Sequence, residues 1–406
     1  MNETIQEHDS ITPLVSRYFE IQQIVPGGGR FPFVMRYSGR LTTDSQNAHA
    51  KLSTDLEPHK LIPIFLDDGE QQVIQVVASP SKQRPSNPYI NLIFFLLTLI
   101  SMLIAGVLYG YEGPEPQGLG GLAGLLLGNL SIGIPFAASL LAILLAHEFG
   151  HYLAARFHKT AVTLPYFLPF PLSPFGTLGA FIQLKEPPRN KRVLFDIGIA
   201  GPLAGLVVAI PILLLGLSLS EVNQLPIFLR PGEAYSLEGN SILYLLAKYL
   251  VHGLLLPAPV TFAGLSPLGY WLSFFFTGQP FPLGATDVIL HPIAWAGWAG
   301  LLVTALNLIP AGQLDGGHVL YSLLGRSVRL VLPFVLAGLA VLGFFWSGWW
   351  LWVFLILLMG GSHAQPLDQI TKLDRRRMAL AIFGIILFIL VFTPIPLQII
   401  QGPFGG

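Results

Sequence analysis

The residues with the clearest chemical potential form the pattern His147-Glu148-Phe149-Gly150-His151, inside a long apolar run. On a helix, side chains four positions apart lie on one face, so His147 and His151 can present two imidazoles to one metal ion. Glu148 stands where it can hold a metal-bound water without being a ligand. Burying three ionisable side chains in a membrane-like segment is costly unless they have a role. We therefore interpret the pattern as a metal site and not as a chance match.

Two histidines leave a zinc ion incompletely coordinated, because a catalytic site normally has three protein ligands and a water. The chain contains no cysteine, which excludes thiolate ligands, a thiol nucleophile and disulfides. Asp315 is the leading candidate for the third ligand, because it lies in an apolar run beside Gly316 and Gly317. The alternative for Asp315 is the N-cap of a helix that follows Leu314.

Other acids and histidines are weaker candidates for the metal. Asp196 follows a basic cluster, so an ion pair at the membrane surface explains it more simply. His318 can share a helix face with Asp315, and we interpret it as a polar neighbour of the site more readily than as a ligand. His252 and His291 fall outside the cluster and are expected to be interfacial or structural.

The composition predicts an integral membrane protein. Charged residues make up 11% of the chain and hydrophobic residues 52%, with a mean hydropathy of +0.63, whereas a soluble protein has about 25% charged residues. Such a chain needs a lipid bilayer around it. The 22 basic and 22 acidic residues balance, so no global field attracts nucleic acid, and no nucleic-acid partner is expected. The sequence specifies no oligomeric state.

The elements that must position these residues are apolar helices. We predict a polytopic transmembrane α-helical bundle of seven or eight spans, with runs near 89–109, 131–157, 193–217, 292–307, 330–347, 348–360 and 378–396.

Two parts of the chain after residue 88 are not predicted to be membrane-spanning helices. Residues 164–171 are too interrupted by proline for a helix, and 176–183 read as a membrane-associated strand that must be covered by protein or line a cavity. Residues 241–256 read as an interfacial helix or a short span, and 257–287 as loop and re-entrant chain.

Residues 1–87 read as a small soluble α/β domain and linker on the cytoplasmic side, and 88–406 as a transmembrane domain. Alternation and turn residues predict the order strand, helix, strand, strand, at 30–37, 42–56, 60–66 and 72–77, followed by a linker at 80–88.

Basic residues set the expected orientation. Lysines and arginines cluster before the first span, between the second and third, after the fourth and before the last, whereas only Arg230 and Lys248 fall on the other side. The positive-inside rule then places the first domain and the metal-bearing helix ends toward the cytoplasm. The first residues resemble neither a signal peptide nor a transit peptide.

Two motifs together carry a resemblance to a known family. They are His147-Glu148-x-x-His151 and Asn307-x-x-Pro310-x-x-x-Leu314-Asp315-Gly316. The pair resembles the site-2 protease family of intramembrane metalloproteases. The resemblance implies zinc bound by His147, His151 and Asp315, with Glu148 activating the water and Asn307 near the developing oxyanion.

A finer resemblance concerns the segment between the motifs. That segment is mostly apolar and leaves no series of strands for a PDZ domain. The chain is instead similar to the PDZ-lacking, EGY-type branch of cyanobacteria and plastids, over residues 176–180, 201–205 and 307–317. Within that branch, the missing transit peptide favours a bacterial, cyanobacterial source over a plastid one.

The function that follows is hydrolysis of peptide bonds within or near transmembrane helices of membrane-protein substrates. A strand at 176–182 can pair with the unwound substrate chain. One alternative is another H-E-x-x-H protease with a glutamate as third ligand, but no glutamate follows Glu238. A second alternative is a metal-ion transporter or an inactive scaffold. A transporter is expected to carry ionisable residues along its path, whereas here they concentrate at one depth.

Overall fold

A computed structural model describes residues 10–28, 31–69, 71–79, 86–111, 113–114, 116–230, 234–358 and 365–401. Over these ranges the chain is mainly helical, and its strands form one four-stranded sheet and three two-stranded sheets.

The amino-terminal unit is an antiparallel sheet with two helices. Its elements are α1 (10–16), β1 (Phe19–Gly28), β2 (Phe31–Leu41), α2 (Ser45–Leu56), β3 (Leu61–Asp67) and β4 (Gln72–Ala78). The strand order is β1-β2-β4-β3. Both helices bury apolar residues in one core with the sheet, for example Val15 and Leu52 against Phe65. The side chain of Asp44 caps α2 by accepting from the Asn47 N–H at 3.1 Å.

The three predicted strands and the helix of this unit are present as β2, β3, β4 and α2. The sequence analysis missed α1 and β1. The strand β1 lies at the sheet edge and carries Glu20, Gln22 and Gln23, which weaken the apolar alternation that marks a strand. Most of the predicted linker, residues 80–85, lies outside the described residues. The division into two domains at residue 87 stays a prediction.

The rest of the chain is built from apolar helices and short strand pairs. The helices are α3 (Pro88–Gly110), α4 (Gly118–Gly128), α5 (Leu130–Phe157), α6 (Lys191–Ser218), α7 (Ile242–His252), α8 (Pro267–Thr277), α9 (Pro292–Asn307), α10 (Asp315–Leu324), α11 (Val328–Gly343), α12 (Gly348–Leu358) and α13 (Arg375–Val391). The strands are β5 (Tyr166–Pro169), β6 (Thr177–Phe181), β7 (Glu221–Gln224), β8 (Ala234–Glu238), β9 (Thr286–Ile289) and β10 (Leu397–Gln401). They pair antiparallel as β5 with β6, β7 with β9, and β8 with β10.

Four helical segments among the described residues are long and apolar enough to cross a membrane. They are Pro88–Gly110, Leu130–Phe157, Lys191–Ser218 and Asp315–Gly343. A span needs about 20 residues. The predicted spans at 292–307, 348–360 and 378–396 correspond to helices of 16, 11 and 17 residues. The structure therefore shows a membrane-type helical bundle, and the count of seven or eight spans stays a prediction.

Helices α5, α6 and α9 pack against one another at the centre of the bundle. Small residues bring them close, because a Cβ on Gly297 would meet the backbone of Leu213 at 2.6 Å and one on Gly150 would meet the carbonyl of Ala200 at 2.6 Å. Helix α9 buries residues around its whole circumference, as expected of a helix enclosed by others. This packing fixes the facing sides of the helices that carry the predicted site.

The strand predicted at 176–183 is β6, and the proline-rich segment before it supplies β5. This β5–β6 hairpin lies against α3. The Asn91 side chain of α3 donates to the carbonyls of Leu164 and Pro165 at 2.9 and 3.0 Å. Gly176, at φ +72°, approaches α3 so closely that a Cβ would lie 2.4 Å from the Ser101 carbonyl oxygen. The hairpin's backbone is thereby covered on one side, as a non-helical membrane segment requires.

Candidate active site

The structure brings the predicted metal ligands together from two helices. His147 and His151 lie one turn apart on the same face of α5, and Asp315 is the first residue of α10. The Asp315 Oδ2 atom is 3.3 Å from the Nε2 atom of each histidine, and the two Nε2 atoms are 3.2 Å apart. Within the described residues, these three form the group of acids and histidines that could hold an ion.

These distances match tetrahedral coordination. A tetrahedron with ligands about 2.0–2.1 Å from zinc has an edge of roughly 3.3–3.4 Å. The 3.2–3.3 Å separations of the two nitrogens and the oxygen have that length. Two imidazoles and one carboxylate form a donor set that zinc accepts and that leaves a fourth position open. The residues present therefore fit a catalytic zinc ion.

The orientation of His151 is fixed by a backbone carbonyl of the neighbouring helix. Its Nδ1 atom lies 2.6 Å from the carbonyl oxygen of Ile197 on α6 and donates to it. Since Nδ1 then carries the proton, the lone pair of Nε2 points toward the other two ligands.

Asp315 does not cap α10. The N-cap position is occupied by Leu314, which makes no side-chain cap hydrogen bond, so the capping alternative for Asp315 is wrong. Its competitor Asp196 lies in an ion pair with Arg377, whose Nη2 atom is 2.6 Å from Oδ2, and it also contacts His158 at 2.8 Å. Asp196 is therefore not one of the three residues that meet at the proposed metal position.

Glu148 and Asn307 border the same position. Glu148 is buried beside the two histidines, and its Oε2 atom has no hydrogen-bond partner in the described part of the chain. A buried carboxylate oxygen without a partner is costly unless a water or substrate group completes it. The Asn307 Nδ2 atom, at the end of α9, is 3.3 Å from the His147 Nε2 atom. The geometry thus places an acceptor and an amide donor around the three ligands; their catalytic roles stay predictions.

Sequence reasoning missed the purpose of the glycines in α6. A Cβ on Gly201 would lie 2.0 Å from the His151 Nε2 atom, and one on Gly205 would lie 3.2 Å from the His147 Cβ atom. The absence of side chains on this face makes room for both imidazoles. The sequence showed only that small residues here permit close helix contact, because the partner across the interface cannot be read from one helix.

The three other histidines considered above, His252, His291 and His318, do not belong to this group of three ligands. His318 lines the surrounding cavity, and its Cβ atom would be 3.0 Å from a Cβ on Gly198. His291 caps α9 by accepting from the Ile293 N–H, and His252 ends α7.

The ligands open into a cavity of about 380 Å³, which we call the metal-site cavity. Its walls include His147, Glu148 and Asp315 together with Ala180 and Phe181 of the β5–β6 hairpin. A peptide segment entering this cavity would pass beside β6.

The sequence as a whole matches a known family over this same region. Residues 135–346, which contain both motifs, match the description "Peptidase family M50". The chain belongs to peptidase family M50. The predicted membership of the site-2 protease family is thereby confirmed.

Individual relatives of this M50 chain agree with the predicted EGY-type branch. It is 33% identical over 325 residues to "Probable zinc metalloprotease EGY1, chloroplastic" of Oryza sativa subsp. japonica, covering 76% of this chain and 50% of that protein. It is 31% identical over 278 residues to "Probable zinc metalloprotease EGY1, chloroplastic" of Arabidopsis thaliana, covering 67% of this chain and 44% of that protein. The chain thus spans about half the length of the curated relatives it matches. No solved structure matches it.

The relatives are named as chloroplast proteins of plants. The prediction that this chain comes from a bacterium therefore remains a prediction.

Proposed function

We propose that this M50 chain is an intramembrane zinc metalloprotease that hydrolyses peptide bonds within or near the transmembrane helices of membrane proteins. The observation that carries the proposal is the tetrahedral spacing of His147 Nε2, His151 Nε2 and Asp315 Oδ2 beside the buried carboxylate of Glu148. The names of the relatives, which include the words zinc metalloprotease, point to the same chemistry.

Each residue of the site has its own role in the proposed reaction. Zinc held by the three ligands would supply a Lewis acid that acidifies water and polarises the scissile carbonyl. The free Oε2 atom of Glu148 takes a proton from the attacking water and returns it to the leaving nitrogen. The Asn307 amide donates to the oxygen on which negative charge develops. The Ile197 carbonyl keeps His151 in the tautomer that leaves Nε2 deprotonated.

A substrate helix must unwind before its peptide bond can react, because its carbonyls are hydrogen-bonded within the helix. The strand β6 lies in the wall of the metal-site cavity, and Leu178 and Phe181 on it are exposed. Among the described residues β6 pairs only with β5, so its other edge can pair with the unwound chain and hold it extended.

We further propose the predicted arrangement in the membrane. The metal site would lie toward the cytoplasm, with residues 1–87 as a separate domain on the same side. In support, Arg326, just after α10, donates to Asp68 of the amino-terminal unit at 2.9 Å, and Arg192 near the start of α6 donates to Gln46 at 2.8 Å. Helices α9, α12 and α13 would add to the four long spans and give seven, within the predicted seven or eight.

The test is cleavage of a membrane-embedded substrate by the purified protein in liposomes. Glu148→Gln should retain zinc but lose at least about a thousandfold in kcat, because it removes the general base. The matched control Glu221→Gln alters an exposed glutamate on β7 and should cleave like the wild type.

Full proteolysis by the Glu148→Gln variant would refute the mechanism. Zinc uptake into vesicles by that variant, without any cleavage by the wild type, would favour the transporter alternative.

A further inference from the structure

A second cavity lies away from the metal site. It has a volume of about 540 Å³ and is lined by Tyr109 at the end of α3, Ser173 in the turn of the β5–β6 hairpin, Ser236 and Glu238 of β8, and Trp295 of α9. We call it the distal cavity. None of the residues that form the metal-site cavity belongs to it.

The two cavities lie at opposite ends of shared elements. Trp295 in the distal cavity and Asn307 at the metal site are twelve residues apart on α9, which corresponds to about 18 Å along the helix. The β5–β6 hairpin makes the same connection, because Ser173 lines the distal cavity and Ala180 the metal-site cavity. One helix and one hairpin therefore contribute residues to both cavities.

The distal cavity offers an aromatic surface and an unused hydrogen-bond donor. The ring of Trp295 stacks with that of Tyr109, with 5.1 Å between the ring centroids, and with that of Trp298, with 4.8 Å between the centroids. The Trp295 Nε1 atom is buried and has no hydrogen-bond partner in the described residues. A buried indole N–H normally finds an acceptor, so its isolation points to a ligand that supplies one.

A buried carboxyl group also lines the distal cavity. Glu238 is buried in the wall and accepts from the Tyr244 hydroxyl at 2.8 Å. Lys248 and Asp287 lie behind it, with the Lys248 Nζ atom 4.0 Å from Glu238 and 3.8 Å from Asp287. Glu238 therefore presents to the distal cavity a carboxyl group that is already paired with Tyr244 and Lys248.

We propose that the distal cavity binds an aromatic side chain at the far flank of the transmembrane substrate whose scissile bond lies at the metal site. This inference rests on the proposed function. Transmembrane helices carry Trp and Tyr near both membrane surfaces, and such a ring would stack in the aromatic wall while its chain supplies an acceptor to Trp295. An 18 Å separation corresponds to about 12 residues of helical substrate or about 6 of extended substrate.

The experiment compares two membrane-embedded substrates that differ at one position. The first carries Trp, and the second Ala, about 6 to 12 residues from the cleaved bond. The wild-type protein should cleave the Trp substrate with about tenfold higher kcat/KM, mainly through a lower KM. Ser236→Trp, which fills the mouth of the distal cavity from an exposed position of β8, should bring the ratio of the two kcat/KM values to about one.

The matched control is Asn223→Trp, because Asn223 is exposed on β7 and does not line the cavity. It should preserve the preference for the Trp substrate. Equal cleavage of the two substrates by the wild type, or a preference that survives Ser236→Trp, would overturn the inference.

A binding measurement separates this inference from the proposed function. In the Glu148→Gln background, a photoreactive benzophenone side chain at position 236 should crosslink to the Trp substrate at its aromatic flank, and one at position 223 should not. This readout needs no cleavage. Crosslinking without any wild-type cleavage would refute the protease proposal alone, whereas cleavage without crosslinking would refute the distal site alone.

Discussion

At the residue scale, the site requires a residue without a side chain, Gly201, beside the ligand His151. His151 is confined between the Ile197 carbonyl, which accepts from Nδ1 at 2.6 Å, and the backbone of Gly201. A Cβ at position 201 would lie 2.0 Å from Nε2, the atom that faces Asp315. The imidazole cannot move away without losing its hydrogen bond to Ile197. Gly201 is therefore required for the ligand geometry.

We predict that Gly201→Ala lowers zinc affinity by about a hundredfold, at the upper end of what changes around a metal ligand usually cost. Zinc content after dialysis against a weak chelator measures this. The control is Gly338→Ala on α11, where an added Cβ meets nothing within 4 Å. Normal zinc content in Gly201→Ala would show that His151 has more room than the structure gives it.

At the element scale, a charged network ties three helices together beside the site. Asp196 of α6 accepts from Arg377 of α13 at 2.6 and 2.8 Å and contacts His158, the C-cap of α5, at 2.8 Å. The next residue, Ile197, holds His151. This network fixes α6 against α5 where the carbonyl of Ile197 must meet the imidazole.

Removing the charge of Asp196 should therefore affect both stability and metal binding. We expect Asp196→Asn to cost about 1–2 kcal/mol, since the pair is only partly exposed and doubly hydrogen-bonded, and to weaken zinc binding about tenfold. Thermal unfolding and zinc titration measure the two effects. Arg17→Gln, which breaks a pair with Asp55 at 3.5 Å by changing an exposed arginine, should change neither. An Asp196→Asn protein with unchanged zinc affinity would show that Ile197 is held by packing alone.

Elements with strong local signals could be predicted from the sequence. The H-E-x-x-H face of α5 follows from helical period alone, and β2, β3 and β4 follow from alternation and turn residues. Long-range relations could not be predicted in the same way. Asp315 was selected by its apolar surroundings, but its 3.3 Å approach to both histidines depends on how α10 packs. The contact of Gly201 with His151 depends on the packing of α6 against α5, and no local sequence pattern predicts that packing.

At the scale of the whole molecule, one buried aspartate joins the amino-terminal unit to the helical bundle. Asp368 is 1% exposed and accepts from the Ser45 hydroxyl at 2.8 Å. Its backbone N–H donates to the carbonyl of Arg189, just before α6, and its neighbours exchange hydrogen bonds with Phe65 of β3 at 2.8 and 2.9 Å. The segment around Asp368 therefore connects β3 to the start of the helix that supports the metal site.

We predict that Asp368→Ala destabilises this connection by about 3 kcal/mol, because it leaves Ser45 and nearby backbone N–H groups without their acceptor. The amino-terminal unit should then be cleaved faster by an added protease, while zinc stays bound. Asp68→Asn, at an exposed ion pair with Arg326, is the control and should be cleaved like the wild type. Unchanged protection in Asp368→Ala would mean that other contacts hold the two parts together.

The central claim is that zinc is held by two histidines of one helix and an aspartate from another. Zinc K-edge X-ray absorption of the purified protein tests it most directly. The account predicts two imidazole nitrogens and oxygen donors at about 2.0–2.1 Å in the wild type, and loss of this zinc signal in Asp315→Ala. A wild-type protein without zinc, or an Asp315→Ala spectrum identical to that of the wild type, would contradict it.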